Sequence, residues 1–137
     1  LPSGTGGKVL QVRQNVDASY SNGSTSTSYF EVVNHTITPS STSNNILILL
    51  TSSVNGEDSS SDVKSAFKLQ RNTTDIWTNT EGYMKSAGAC NSAISYIDSP
   101  STTSEITYRF LVQPTLISYG TALILKQTSI TLIEVAA

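Results

Sequence analysis

The feature that most limits what this chain can become is a pattern used twice. In "HTITPSSTSNNILILL" (35–50) and again in "SYIDSPSTTSEITYRF" (95–110), a proline and a tract of small hydroxyl residues separate two runs rich in β-branched, aromatic and aliphatic side chains. Such runs suit a pleated, half-buried surface. Proline cannot donate to a strand ladder, and Ser and Thr side chains compete for nearby backbone groups. Each tract therefore reads as a turn that separates strands without adding charge.

The same punctuation organises the rest of the chain. In 8–14, Leu10 and Val12 alternate with Gln11 and Arg13, the period-2 signature of a strand. A polar loop, "SYSNGSTSTS", follows, and then a strand-like run from Tyr29 to Ile37 that stops at Pro39. Ile46 to Leu50 is apolar at every position, as expected of a central strand covered on both faces. Phe67 and Leu69 alternate with Lys68 and Gln70. In 106–112 the inward set is Ile106, Tyr108, Phe110 and Val112, with Thr107 and Arg109 outward. Ala122 to Leu125 and Ile130 to Val135 supply two further strands. No segment joins helical periodicity to capping residues. The expectation is an all-β chain: an antiparallel β-sandwich, jelly-roll-like, of about seven or eight strands. Residues 1–7 read as a Gly/Ser-rich hinge or linker and 8–137 as the single sandwich domain.

Composition narrows the function. The 137 residues are enough to bury a sizeable core without a disulfide or metal. Roughly three residues in ten are Ser or Thr, yet β-branched and aromatic residues recur throughout, so a hydroxyl-rich surface over an aliphatic core is favoured over disorder. Charged residues are 13% and the formal net charge is −2, with no Lys/Arg cluster to hold phosphates, which argues against nucleic acid. No apolar run reaches the ~18 residues of a membrane span, and "LPSGTGGKVLQV" lacks the build of a signal peptide. With neither Met nor a signal at its start, the chain reads as the ordered tail of something longer.

Catalytic chemistry is thinly represented. His35 is the only histidine and sits in a strand-like run, where a structural role is favoured over a general base. Nothing in the order of the ten acidic residues marks two as a glycosidase pair. Cys90 is alone, which excludes an intrachain disulfide, and reads as a small buried residue. "NGEDSSSD" (55–62) gathers carboxylates but lacks the ligand spacing of a calcium loop, so it reads as a solvated hairpin tip. The sequons at Asn22, Asn34 and Asn72 would matter only in a secretory pathway. "DIWTNTEGYMK" (75–85) reads as a polar, glycine-containing loop. Its Trp77 and Tyr83 could stack on a sugar or anchor a protein partner, and Trp77 equally suits a plug at one end of the sandwich. These two are the candidate ligand-binding residues. No catalytic residue, metal ligand or cofactor is assigned.

The ordered set "GKVLQV", "TSYFEVVNHTITPSSTSNNILILL", "FKLQRNTTDIW", "SYIDSPSTTSEITYRF" and the terminal "TLIEVAA" resembles the C-terminal β-rich domain of tail-fibre and other appendage proteins of tailed bacteriophages, marine phages especially. Within it "SYIDSPSTTS" resembles a recurrent turn-and-strand element, and "LQRNTTDI" (69–76) an "LxRxxTxI" element. The resemblance spans nearly the whole chain. It implies a virion structural protein on the particle surface, not an enzyme, needing no cofactor. It further implies a homotrimer that contacts other virion proteins and a host cell-surface glycan or protein, with no nucleic acid and no membrane insertion. The alternative is a non-enzymatic capsid decoration, spike or fibre knob; a polysaccharide-degrading tailspike fragment ranks last. Trimer packing is expected to involve Ile130–Val135 or Ile46–Leu50.

Overall fold

A chain with this alternation must pair strands so that every second side chain leaves water, and it does so with eight strands. The computed structural model describes residues 8–17, 28–56, 63–84, 89–116 and 123–137. The strands are β1 (Val9–Asp17), β2 (Phe30–Ile37), β3 (Asn45–Gly56), β4 (Val63–Arg71), β5 (Thr74–Met84), β6 (Ala89–Asp98), β7 (Ile106–Leu116) and β8 (Leu123–Val135). The expected hinge at 1–7, most of the "SYSNGSTSTS" loop and the carboxylates of "NGEDSSSD" lie outside the described residues.

Two four-stranded antiparallel sheets form, β1-β8-β3-β6 and β2-β7-β4-β5. The pairings β4/β5, β3/β6, β2/β7 and β1/β8 are those of one long hairpin whose two arms run together. Rolled up, that ribbon places β3 beside β8 and β4 beside β7. This connectivity is the eight-stranded jelly roll, a sandwich of two sheets.

The inward residues are those the alternation assigns. From the first sheet come Ile46, Ile48, Leu50, Ile130 and Leu132, and from the second Val33, Ile37, Phe67, Leu69, Ile106, Tyr108, Phe110 and Val112, all in one buried cluster. Phe67 and Phe110 stack with centroids 5.8 Å apart. Burying each such side chain contributes roughly 1.5–3 kcal/mol before chain entropy is set against it. At the β4–β5 turn Asn72 adopts φ 55°, a left-handed conformation that Asn tolerates better than most residues. Its N–H donates to Thr107 O (2.7 Å) and its Oδ1 accepts from Thr107 N (3.0 Å), which pins the hairpin tip to β7.

The structure revises the reading at four strands. The segment "DIWTNTEGYM" is not a loop but the edge strand β5, because its backbone completes the ladder of β4. Leu123–Leu125 and Ile130–Val135 are not two strands; a β-bulge opposite Ser52 and Val54 lets one strand, β8, run through both, and Ala122 lies outside the described residues. Strand β3 is central, as expected, but among the described residues it is covered on one face only. Ile46, Ile48 and Leu50 are buried, whereas Leu49 is 37% exposed. In β1 the apolar side chains are uncovered: Val9, Leu10, Val12 and Val16 are all exposed, and the ladder is irregular between Val9 and Gln11.

Leu132→Ala should lower unfolding stability in urea by about 2–5 kcal/mol, the range for opening a cavity in a packed core. A loss under about 1 kcal/mol would mean that the site is not packed as described.

Candidate functional site

Two carboxylates enter the sandwich, and register explains how. Glu134 on β8 and Asp98 on β6 both lie opposite Ile46 of β3, in one rung that ends at Gln11 of β1. Ile46 faces the core, so both acids do too; Glu134 is 0% and Asp98 7% exposed. An ionised group in that position is tolerable only if its lone pairs are occupied.

They are. Glu134 Oε2 accepts from Gln11 Nε2 (2.6 Å), and its Oε1 accepts from Asn44 Nδ2 (2.6 Å), Ser40 N (2.7 Å) and Ser40 Oγ (2.8 Å). Ser40 and Asn44 belong to the first hydroxyl tract, which is thus a cradle for a buried carboxylate as well as a turn. Burial alone would push the Glu134 carboxyl up. The bonds from Asn44, Gln11 and Ser40 favour the charged form more strongly and hold it down at about 2. Asp98 accepts from Tyr108 Oη (2.6 Å) and takes Arg71 Nη1 on both oxygens (3.1 Å each). Tyr108 and Arg71 are on the opposite sheet, so this contact ties the two sheets together. Burial, and then the bond to Asp98, raise the Tyr108 phenol well above its ordinary range. Both carboxylates are therefore held by structural donors, which leaves neither free as an acid or base.

The sequence-chosen residues do not gather into one site. Trp77 lies on β5 opposite Leu69 and packs, half-buried, against the core cluster. Tyr83 lies farther along β5, opposite Lys64 in backbone register, and its side chain is outside the described residues. His35 is half-buried on β2 opposite Tyr108. Cys90 is on β6, with its side chain also outside the described residues. Among the described residues no group of three or more His, Cys, Asp or Glu could hold a metal ion. No helix among them is long and apolar enough to cross a membrane.

The two outer faces differ sharply. Sheet β2-β7-β4-β5 displays ion pairs: Lys68 Nζ with Asp75 Oδ2 (2.6 Å) and Arg109 Nε with Glu31 Oε2 (3.6 Å). Lys68 also sits 4.4 Å over the Tyr29 ring. The bond to Asp75 raises the Lys68 pKa, and Lys68, then Gln70, lower that of Asp75. Such exposed pairs suit a face in contact with water and contribute little stability. Sheet β1-β8-β3-β6 is different. Its outer rungs read Val12–Ile133–Leu47–Ile97, then Gln14–Thr131–Leu49–Ser95, then Val16–Ser129–Thr51–Ala93, with no charge in any of them. A shallow hollow of about 540 Å³ opens over the polar part, lined by Gln14, Val16, Thr51, Ser53, Asn91 and Gln127 among others. Its amides and hydroxyls can bind but offer no general base or nucleophile-activating partner. Sequence reasoning missed Glu134, Asp98 and this face. The usable signal for the acids was parity: Glu134 is in step with Ile130 and Leu132, and Asp98 with Ile94 and Tyr96.

No family model matches the chain, and no curated protein is significantly similar to it. Among solved structures it is similar to dimeric latent PorU from Porphyromonas gingivalis, at 11% identity and a TM-score of 0.43, covering 95% of this chain and 11% of that one. It is likewise similar to infectious bursal disease virus Gx strain, at 9% identity and a TM-score of 0.47, covering 93% of this chain and 38% of that one. The chain thus spans well under half the length of either, and at these scores neither bears on function.

Because the folded pKa of Glu134 lies below its ordinary value of 4.5, its contribution to stability is complete above that pH and is lost as pH falls towards about 2. Glu134→Gln should flatten this acid limb and cost about 2–4 kcal/mol at neutral pH, as read from urea midpoints between pH 7 and 2.5. An acid limb unchanged by the substitution would show that other groups set it.

Proposed function

We propose that this chain is a non-enzymatic structural domain on the surface of a bacteriophage virion, at the end of a tail fibre or related appendage, where it contacts the host cell. The observation that carries the reading is the ordered run of sequence blocks resembling appendage C-terminal domains. The described residues of those blocks fall on strands and turns of one eight-stranded roll. The engagement of Glu134 and Asp98 by Ser40, Asn44, Gln11, Arg71 and Tyr108 supports a binding role over glycoside hydrolysis, which needs a carboxylic acid and a carboxylate facing substrate. In this reading the protein works as a homotrimer among other virion proteins, without cofactor, nucleic acid or membrane insertion. Host contact falls on the β5 edge around Trp77 and Tyr83, where an aromatic on an exposed edge can stack on a glycan or anchor a protein.

The test uses fluorescently labelled protein on a panel of marine bacterial strains. Labelling of a subset, with slowed phage adsorption to those same strains, is the expected result. Trp77→Ala should reduce labelling at least about tenfold, the loss typical of a hot-spot aromatic, while leaving native mass unchanged. Labelling of no strain would favour a particle-stabilising decoration or knob. Release of oligosaccharide from host capsule would overturn the non-enzymatic reading.

A further inference from the structure

We propose that the hollow on the outer face of sheet β1-β8-β3-β6 is a binding site for a neutral saccharide, separate from the β5 edge. The inference goes beyond the host contact assigned to Trp77 and Tyr83 and does not depend on it.

The donor set supplies the first argument. At about 540 Å³ the hollow falls in the size range of small-ligand sites. Its lining is amide, hydroxyl and small aliphatic, and among the described residues that form it none is ionisable or aromatic. That inventory selects against other ligand classes. A phosphate or uronic acid calls for a cation, a hard metal ion for carboxylates, and a protein partner for an aromatic or arginine anchor. A neutral sugar calls for what is present. Its hydroxyls both donate and accept, and the planar amides of Gln14, Asn91 and Gln127 offer both functions side by side. Val16 and Ala93 add apolar surface for the C–H face of a sugar ring.

The backbone supplies the second. Between the pairs Ser52/Thr128 and Val54/Leu125, two residues of β8, Lys126 and Gln127, stand against one of β3, Ser53. Such a bulge re-aims a side chain, and bulges concentrate next to functional sites. This one lies at the hollow, since Ser53 and Gln127 both line it. On the other side of Ser53 its register partner is Asn91 of β6. The bulged rung therefore sets an amide on each side of a hydroxyl.

Rigidity supplies the third. Gln14 Nε2 donates to Thr131 Oγ1 (3.0 Å), and Thr51 Oγ1 shares a hydrogen bond with Ser129 Oγ (2.7 Å). These bonds tie neighbouring strands together and hold the lining groups in place before any ligand arrives, so less entropy is lost on binding. Asn91 and Gln127 are exposed, which leaves their amides open to a ligand. A site built on strands is also placed more firmly than one on loops.

The test is heteronuclear NMR of isotope-labelled protein, following the side-chain amides of Gln14, Asn91 and Gln127. The probes are glucose, galactose, mannose, N-acetylglucosamine, maltose and lactose, with galacturonic acid and N-acetylneuraminic acid as charged controls. At least one neutral sugar should shift those amides saturably, and neither acid should. Asn91→Ala and Gln127→Ala should each weaken that sugar at least about tenfold. Ala93→Leu, which fills the hollow, should abolish binding, whereas Thr36→Ala on the opposite sheet should not change it. Asn91, Gln127 and Ala93 are exposed, so the variants should fold, as circular dichroism would verify. The absence of any saturable shift overturns the inference, as does binding that all three hollow variants leave intact or a preference for either acid. Ala93→Leu on the cell panel identifies the source: lost labelling places the saccharide on the host surface, retained labelling marks it as a free sugar, and the inference holds in both. Cell labelling by a protein whose hollow takes no sugar would sink this inference and leave the recognition reading standing; a sugar held in the hollow of a protein that labels no strain would do the reverse.

Discussion

The bond from Tyr108 Oη to Asp98 is the constraint on which the rest of this fold depends. Aliphatic contacts between two sheets are non-directional and would tolerate a slide of one sheet over the other. A phenol in one sheet that donates to a buried carboxylate in the other, with Arg71 on both carboxylate oxygens, permits one alignment. The remainder of the rung extends this fixed point across the sheet. Asp98 and Glu134 flank Ile46, and Glu134 collects Gln11 from β1 together with Ser40 and Asn44 from the β2–β3 connection. One polar layer thereby sets the end of the sandwich, the path of a crossing loop and the place of an edge strand.

Above that layer the core is apolar for two rungs and closes with another polar pair, Ser52 and Thr128, at 2.9 Å. The arrangement explains how a chain with few charges and many hydroxyls keeps a unique structure. Hydroxyls and amides provide directionality at the ends of the core, and aliphatics provide most of the driving force between them. It also separates the tasks of the two outer faces. Ion pairs line one sheet, whereas the other carries three uncharged, partly aliphatic rungs among the described residues.

Much of the fold was legible because alternation is a local property. The inward set Ile106, Tyr108, Phe110 and Val112, the Phe67/Leu69 face and the turns at Pro39 and Pro100 follow from period-2 reading and turn chemistry alone. What escaped was non-local. The edge strand β5 is polar because an edge needs little hydrophobic support, so "TDIWTNTEGYM" carries no strong strand signal. The outward apolar positions of β1 have a face preference that depends on what lies beyond the sheet. The role of the hydroxyl tract at 38–44 became visible only when the roll brought Glu134, ninety residues from Asn44, against it. Trp77 was recognised as either platform or plug. It packs, half-buried, against the core cluster from the edge strand.

The measurement that bears most directly on this account is a double-mutant cycle between Tyr108→Phe and Asp98→Asn, read as unfolding free energy in urea at neutral pH. A directional bond that aligns the sheets should give a coupling energy of about 1–3 kcal/mol between the two sites. Additive effects, with coupling below about 0.3 kcal/mol, would mean that hydrophobic packing alone sets the alignment and that the polar layer merely accommodates it.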